Sequence, residues 1–73
     1  MNPGDRVRVV GPEYKGLLSS RFGSVLSANP LDGSVWARMD GEVHRDLRWF
    51  PRGHAREHDI PLSASECILV RAA

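Results

Sequence analysis

The residues best suited to chemistry lie together in one part of this 73-residue chain, which holds all three of its histidines, His44, His54 and His58. His54 and His58 are four residues apart, the spacing that places two imidazoles on one face of a helix, as a pair of metal ligands requires. No thiol or carboxylate at a suitable spacing completes a set of four ligands, and a nearby glycine and proline disfavour a helix. We therefore predict no metal or other cofactor and keep His54 and His58 only as the weaker, metal-binding alternative.

The same part of the chain is locally basic and contains aromatic rings. Arginines interleave with Trp49 and Phe50, a combination of cations for phosphates and flat rings for bases that is typical of single-stranded nucleic-acid surfaces. The arginines are Arg45, Arg48, Arg52 and Arg56. Adjacent residues of a strand point to opposite sides, so one of the two rings should face outward and favour contact with a partner. We favour a solvated, salt-bridged face over a protein contact, and a protein contact over nucleic acid.

A second candidate contact is the tryptophan of the alternating run 34–39. Alternation places Val35, Ala37 and Met39 on one face and Trp36 with Arg38 on the other. We predict that Trp36 is buried, because so small a core needs large apolar side chains. The alternative exposes Trp36 beside Arg38 as an interface pair.

Short strand-like segments separated by glycine and proline dominate the rest of the chain, and side-chain types alternate in 6–10 and 34–39. They predict strands at 6–10, 22–27, 34–39, 42–50 and 67–70, with Asp40-Gly41 as a two-residue hairpin turn before the fourth. An irregular loop is expected over 51–65, and a tight turn over 63–66 before the last strand. With no convincing amphipathic helix, the pattern predicts an all-β fold: one small five-stranded barrel domain over 1–73.

Composition narrows the function classes. Hydrophobic residues make up 41% and charged residues 26% of the chain, the balance of a soluble globular domain. A net charge of +1 disfavours a strongly basic nucleic-acid wrapper. The single cysteine, Cys67, excludes an intrachain disulfide and points to the cytoplasm, and its apolar neighbours predict a buried, unreactive thiol. No apolar run is long enough for a membrane helix, so we expect no membrane partner. Because so small a core is only marginally stable, self-association into a homo-oligomer is an open alternative.

The opening of the chain resembles a known family. Gly4-Asp5-Arg6-Val7-Arg8-Val9-Val10-Gly11-Pro12-Glu13-Tyr14-Lys15-Gly16, followed by Phe22-Gly23-Ser24-Val25, is similar to the KOW-type opening of SH3-like barrels, with 17–21 resembling an insertion. The resemblance covers about the first third of the chain and implies a five-stranded SH3-like barrel. KOW-like domains of ribosomal proteins and elongation factors bind RNA or partner proteins. Other SH3-like barrels are accessory subunits, such as the ferredoxin-docking subunit of photosystem I.

The segment 4–8 also looks like the start of type II dihydrofolate reductase, a tetrameric SH3-like enzyme. That enzyme depends on a Val-Gln-Ile-Tyr strand, whereas the nearest stretch here, 47–50, reads Leu-Arg-Trp-Phe and lacks the glutamine and the tyrosine. Since the departure falls on the catalytic element, we expect no enzymatic activity.

We therefore predict a non-catalytic binding module or accessory subunit whose partner is another protein, with RNA or single-stranded nucleic acid as the alternative. The loop 11–21 and the rim formed by the basic, aromatic segment should make the contact. The predicted contact residues are Tyr14, Lys15, Arg21, Trp36, Arg38, Arg45, Arg48, Trp49 and Arg52.

Overall fold

The computed structural model describes residues 1–44, 49–50, 53–54 and 56–73, with the backbone alone at 49–50 and 53–54. Its strands are β1 (Arg6–Val9), β2 (Phe22–Asn29), β3 (Ser34–Met39), β4 (Trp49–Phe50), β5 (Gly53–His54), β6 (Asp59–Ser63) and β7 (Cys67–Arg71). Two single-turn 3-10 helices span Pro12–Tyr14 and Ala64–Glu66. Neither of these helical segments of the described chain could cross a lipid bilayer.

Five of the strands form one antiparallel sheet in the order β6-β3-β2-β1-β7, and β4 pairs with β5 in a separate two-stranded ladder. The predicted all-β class is confirmed, as are the strands predicted where β1, β2, β3 and β7 lie. No ladder among the described residues joins β6 to β7, so the sheet is open. The result is a small barrel-like fold with two free edges.

All five strands contribute side chains to a single core. Since the described residues include no α-helix to cover the inner face of the sheet, the sheet must curve around its own side chains to exclude water. The fully buried members alternate along their strands, as a one-sided sheet requires. The core comprises Val7, Val9, Tyr14, Val25, Val35, Ala37, Met39, Val43, Ile60, Leu62 and Cys67.

Close backbone packing between β2 and β3 explains the glycine in β2. A Cβ on Gly23 would lie 2.7 Å from the backbone oxygen of Arg38 on the neighbouring strand. That oxygen belongs to a paired strand and cannot move aside without breaking the ladder. Gly23 is therefore required by packing, in agreement with the close backbone approach that its position in a strand indicates.

The region predicted to be irregular over 51–65 contains β5 and β6, so that prediction is wrong where these strands lie. β6 pairs with β3 from Asp59 to Ser63 and buries Ile60, Pro61 and Leu62 in succession. Three consecutive buried residues give no alternation, and a proline argues against a strand. The strand is possible because β6 lies at a sheet edge, where a missing ladder donor is tolerated. The tight turn expected at 63–66 is confirmed as the second 3-10 helix.

The predicted hairpin turn at Asp40-Gly41 is also wrong. β3 pairs with β6, and the chain after Gly41 pairs instead with the loop before β2. Ser19 N–H donates to the Glu42 carbonyl at 3.0 Å. Gly41 has no positive φ, but its added Cβ would lie 2.2 Å from Ser19 Oγ. The glycine thus permits close approach of two loops, and the strand predicted over 42–50 falls partly on residues outside those described.

Candidate binding surface

A row of exposed side chains crosses the outer face of the sheet from β2 to β7. Arg8 of β1 is paired with Phe22 of β2 on one side and with Ile68 of β7 on the other. Directly paired side chains have Cβ atoms about 5 Å apart, so these three form a continuous surface. Phe22 is 44% and Ile68 50% exposed, so the row leaves large apolar side chains in contact with water.

The last strand extends this surface over both of its faces. Val70 is 54% exposed and is the extra residue of a β-bulge, since Arg6 pairs with Arg71 and Val7 with Leu69. Leu69 is paired with the fully buried Val7 and so faces the core side, yet it is 50% exposed. The reason is that β7 is an edge strand. We call Phe22, Arg8, Ile68, Leu69 and Val70 the β7 patch.

The cations around the β7 patch differ in their partners. Arg6 donates to both carboxylate oxygens of Asp40 and to Ser24 Oγ, and its guanidinium lowers the pKa of the Asp40 carboxyl. The other ion pair of the described residues joins Arg38 to Asp59 at 2.9 Å. Arg8 and Arg71 are exposed and take part in neither pair. Within the described part of the chain, Arg8 of the β7 patch and the neighbouring Arg71 are therefore two cations without a carboxylate partner.

Trp36 occupies a second outer surface, formed by β3 and β6. The prediction that Trp36 is buried is wrong: Val35, Ala37 and Met39 face the core, and Trp36 is half-buried on the opposite face. The guanidinium of Arg56 lies 5.9 Å from the centre of the indole ring, within range of a cation–π interaction. Burying the three apolar side chains on one face of β3 removes more apolar area from water than burying the one indole ring on the other face. The ring of Trp36 therefore packs beside a cation and remains partly in water.

A shallow depression lies next to Trp36. It is lined by residues of the β2–β3 turn, β3 and β6, namely Asp32, Gly33, Ser34, Val35, Trp36, Pro61, Leu62 and Ser63. It is a candidate contact surface.

The loop 11–21 contributes less to a contact surface than predicted. Tyr14 is only 1% exposed and its hydroxyl donates to Glu66 Oε2 at 2.7 Å, so its assignment as a contact residue is wrong. Arg21 is half-buried and donates to the carbonyl oxygens of Val9 and Gly11, each at 3.1 Å. Both side chains hold the loop against the sheet. Lys15 alone of the three is exposed.

The remaining predicted residues are only partly described. Arg38 is exposed, as its predicted contact role requires, and is paired with Asp59. Arg45, Arg48 and Arg52 lie outside the described residues, and Trp49 is described through its backbone in β4. Their contact roles stay predictions.

The histidines that could bind a metal are also only partly described. His54 lies in β5, where the backbone alone is described, and His58 is exposed with Nδ1 2.8 Å from the Gly41 carbonyl oxygen. No cluster of three potential metal ligands occurs among the described side chains.

The one thiol is buried, as predicted. Cys67 is 8% exposed, with Sγ 3.6 Å from the Ser63 carbonyl oxygen. Burial, and secondarily the charge of Glu66, raises the pKa of the thiol to about 11. The thiol is therefore protonated at neutral pH and is a poor nucleophile.

The β7 patch is the functional candidate that the sequence analysis missed. A signal for it was available: Ile68, Leu69 and Val70 are consecutive, and alternation cannot turn all three toward one core. Arg8 likewise alternates with two buried valines and had to face outward. What the pattern lacked was the pairing that brings Phe22, Arg8 and Ile68 into one row.

The chain was also compared with known proteins. No protein-family model, no curated protein and no solved structure matches it. The KOW-type and SH3-like resemblance of its opening segment therefore stays a prediction.

Proposed function

We propose that this chain is a non-catalytic binding module that contacts a partner protein through the β7 patch. The observation that carries the proposal is the contiguous row of Phe22, Arg8 and Ile68 on the outer face, together with the exposed Leu69 and Val70 at the edge of β7. Four large apolar side chains that are each about half exposed leave area that a partner could remove from water. Arginine and aromatic side chains, here Arg8 flanked by Phe22 and Ile68, are also enriched in protein interfaces.

Charge distribution favours a protein partner over nucleic acid. Arg6 and Arg38 form ion pairs with carboxylates, and Arg21 donates its hydrogen bonds to backbone carbonyl oxygens. Binding to a phosphate backbone relies on many uncompensated cations, whereas the whole chain has a net charge of +1. The β7 patch also contains one aromatic ring and three aliphatic side chains, and aliphatic side chains cannot stack bases as successive rings do.

Affinity capture with matched variants tests the proposal. The chain and its Phe22→Ser/Ile68→Ser variant are expressed at equal levels in cells of the source organism, and bound proteins are quantified by mass spectrometry. Leu31→Ser is the control, since Leu31 is 94% exposed in the turn between β2 and β3 and lies outside the patch. We expect the same partner with the wild type and the control and its loss with the double variant. An unchanged set of partners with the double variant would contradict the proposal.

Two further measurements address the competing functions. Electrophoretic shifts with single-stranded and duplex oligonucleotides at two salt concentrations should show no tight, salt-sensitive complex. Tight binding that falls steeply with salt would support nucleic-acid recognition instead. NADPH-dependent reduction of dihydrofolate by a concentrated sample would refute the assignment as a non-catalytic module.

A further inference from the structure

The hydrogen-bonding edge of β7 opposite β1 is directed away from the sheet. The direction of this edge follows from the main-chain hydrogen bonds of β1 and the residues next to it. The Asp5 carbonyl accepts from Val25 N–H at 2.8 Å, and Val9 N–H donates to the Arg21 carbonyl at 2.7 Å. The odd-numbered residues of this segment therefore form main-chain hydrogen bonds with β2 and the residue before it. Val10 N–H donates to the Glu66 carbonyl at 2.8 Å, so even-numbered residues bond toward β7.

This alternation determines which groups of β7 remain open. Arg8 forms a hydrogen-bonded pair with Ile68, and Val7 forms a non-hydrogen-bonded pair with Leu69. In a non-hydrogen-bonded pair the main-chain N–H and C=O of each residue point away from the partner strand. The N–H and C=O of Leu69 therefore point to the open edge, where no described strand lies.

The two edge strands of the sheet, β6 and β7, differ in whether another strand can pair with them. β6 carries Pro61 at its centre, which removes a main-chain donor from that edge. β7 contains no proline, its bulge and its charged residue come only after Leu69, and it exposes apolar side chains on both faces. Of the two edges, β7 is the one suited to accept another strand.

We propose that β7 binds an extended acidic segment of the partner protein, which adds a sixth strand to the sheet. This inference rests on the proposed function. The residue of that segment opposite Leu69 exchanges two main-chain hydrogen bonds with it. The segment alternates: its apolar side chains cover Leu69 on the core side, and the side chains of its other face lie beside Ile68. Its carboxylates approach Arg8 and Arg71, which have no carboxylate partner among the described residues. Main-chain bonds supply affinity and the side-chain positions supply selectivity, as in other cases of strand addition.

Charge also argues for an acidic partner over a second copy of this chain. Two-fold antiparallel pairing about Leu69 would set Ile68 opposite Val70 and Cys67 opposite Arg71 of the other copy. The Arg71 side chain of each copy would then lie beside Ile68 and near Arg8 of the other. Like charges side by side destabilise cross-strand pairs, whereas carboxylates at the same places stabilise them.

Binding of a synthetic peptide tests the inference. The probe is a capped peptide of about nine residues in which glutamate alternates with valine, and its control replaces every glutamate with lysine. We expect the acidic peptide to bind, to slow hydrogen exchange of the Leu69 amide, and to bind less tightly as salt increases. The lysine peptide should not bind. Equal binding of both peptides, or of neither, would overturn the acidic specificity.

Removal of the Leu69 N–H tests the hydrogen bonds themselves. Leu69→Pro removes this donor, and Leu69→Thr is the control that retains it. Because proline could also disturb the strand, a synthetic chain with an ester in place of the Leu69 amide is the second variant. Loss of one main-chain hydrogen bond should weaken peptide binding about fivefold to tenfold in the ester and proline forms. Leu69→Thr, which keeps the donor, should lose less affinity than either of them.

The outcomes separate this inference from the proposed function. If the ester form binds the acidic peptide as tightly as the wild type, strand addition is refuted, while loss of the partner on Phe22→Ser/Ile68→Ser would still support a binding module. If that double variant retains its partner, the proposed function fails as well. A dimer in sedimentation that the ester form dissociates would show a second copy at this edge and overturn the acidic partner.

Discussion

Removal of one hydroxyl group should measure how strongly the loop before β2 is tied to the end of the sheet. The Tyr14 hydroxyl donates to Glu66 Oε2 at 2.7 Å, across a sequence separation of 52 residues. The other carboxylate oxygen, Oε1, accepts from Ser63 N–H, also at 2.7 Å. One carboxylate therefore connects the first 3-10 helix to the turn that precedes β7. Tyr14→Phe retains the buried ring and removes only the donor.

The magnitude follows from the charge and burial of the acceptor. A hydrogen bond to a charged group contributes about 1.5–3 kcal/mol, but Glu66 is only half-buried, so water can partly replace the lost donor. We expect Tyr14→Phe to lower the free energy of unfolding by about 1–2 kcal/mol. In a domain of this size that corresponds to a fall in Tm of roughly 5–15 °C.

A double-mutant cycle isolates this contact from the other interactions of both residues. Urea unfolding followed by circular dichroism gives the free energies of the wild type, Tyr14→Phe, Glu66→Ala and the double variant. Glu66→Ala also removes the Ser63 bond, and the cycle cancels that loss. We expect a coupling energy of about 1 kcal/mol. A coupling energy below about 0.3 kcal/mol, within the usual error of additivity, would refute the reasoning.

Three further predictions concern packing, pH and thiol reactivity. Gly23→Ala should lower the free energy of unfolding by about 1–3 kcal/mol, because its Cβ would lie 2.7 Å from the backbone oxygen of Arg38. The matched control is Ser27→Ala, at an exposed position of the same strand. Equal effects of the two substitutions in urea unfolding would contradict this explanation. Two main-chain N–H donors lower the pKa of Asp5, so its stabilising contribution is present above about pH 4 and lost as the pH falls through the lower folded value. The free energy of unfolding of Asp5→Asn should therefore change less with pH below about pH 4 than that of the wild type. An equal pH dependence in the two proteins would contradict this role of Asp5. Burial raises the pKa of Cys67 to about 11, so a thiol reagent at neutral pH should label the unfolded chain rapidly and the native chain slowly; rapid native labelling would disprove this.

Much of the sheet could be predicted because alternation and turn residues are local properties. Arg6 to Val9 alternates charged and β-branched residues, and the structure has β1 there. The run 34–39 became β3 with both ends as predicted. Each of these strands has one face in water and one in the core, so burial appears directly in the order of residue types.

β6 could not be found in this way. Ile60, Pro61 and Leu62 are all buried, so the segment has no alternation, and proline normally argues against a strand. Its pairing with β3 joins parts of the chain that are distant in sequence. The same pairing displaced the hairpin expected after Asp40-Gly41, a turn whose local signal was strong but whose glycine serves contact with Ser19.

The candidate site was predicted less well than the fold. Tyr14 and Arg21 were chosen as contact residues for their chemistry, yet one is buried and the other bonds the loop. Trp36 was assigned to the core for its size, although β3 turns its opposite face inward. Residue type indicates what a side chain can do, but exposure decides whether it is available to a partner.

By itself, the sequence determined that this chain forms short, one-sided strands separated by turns, because period-two alternation and glycine or proline punctuation act within a few residues. The tertiary structure decided which face of β3 is inside, which strand lies next to it, and that β7 is left at an open edge. The physical reason is that a strand has two faces and two edges. Which of them meets water depends on strands that pair with it from far along the chain.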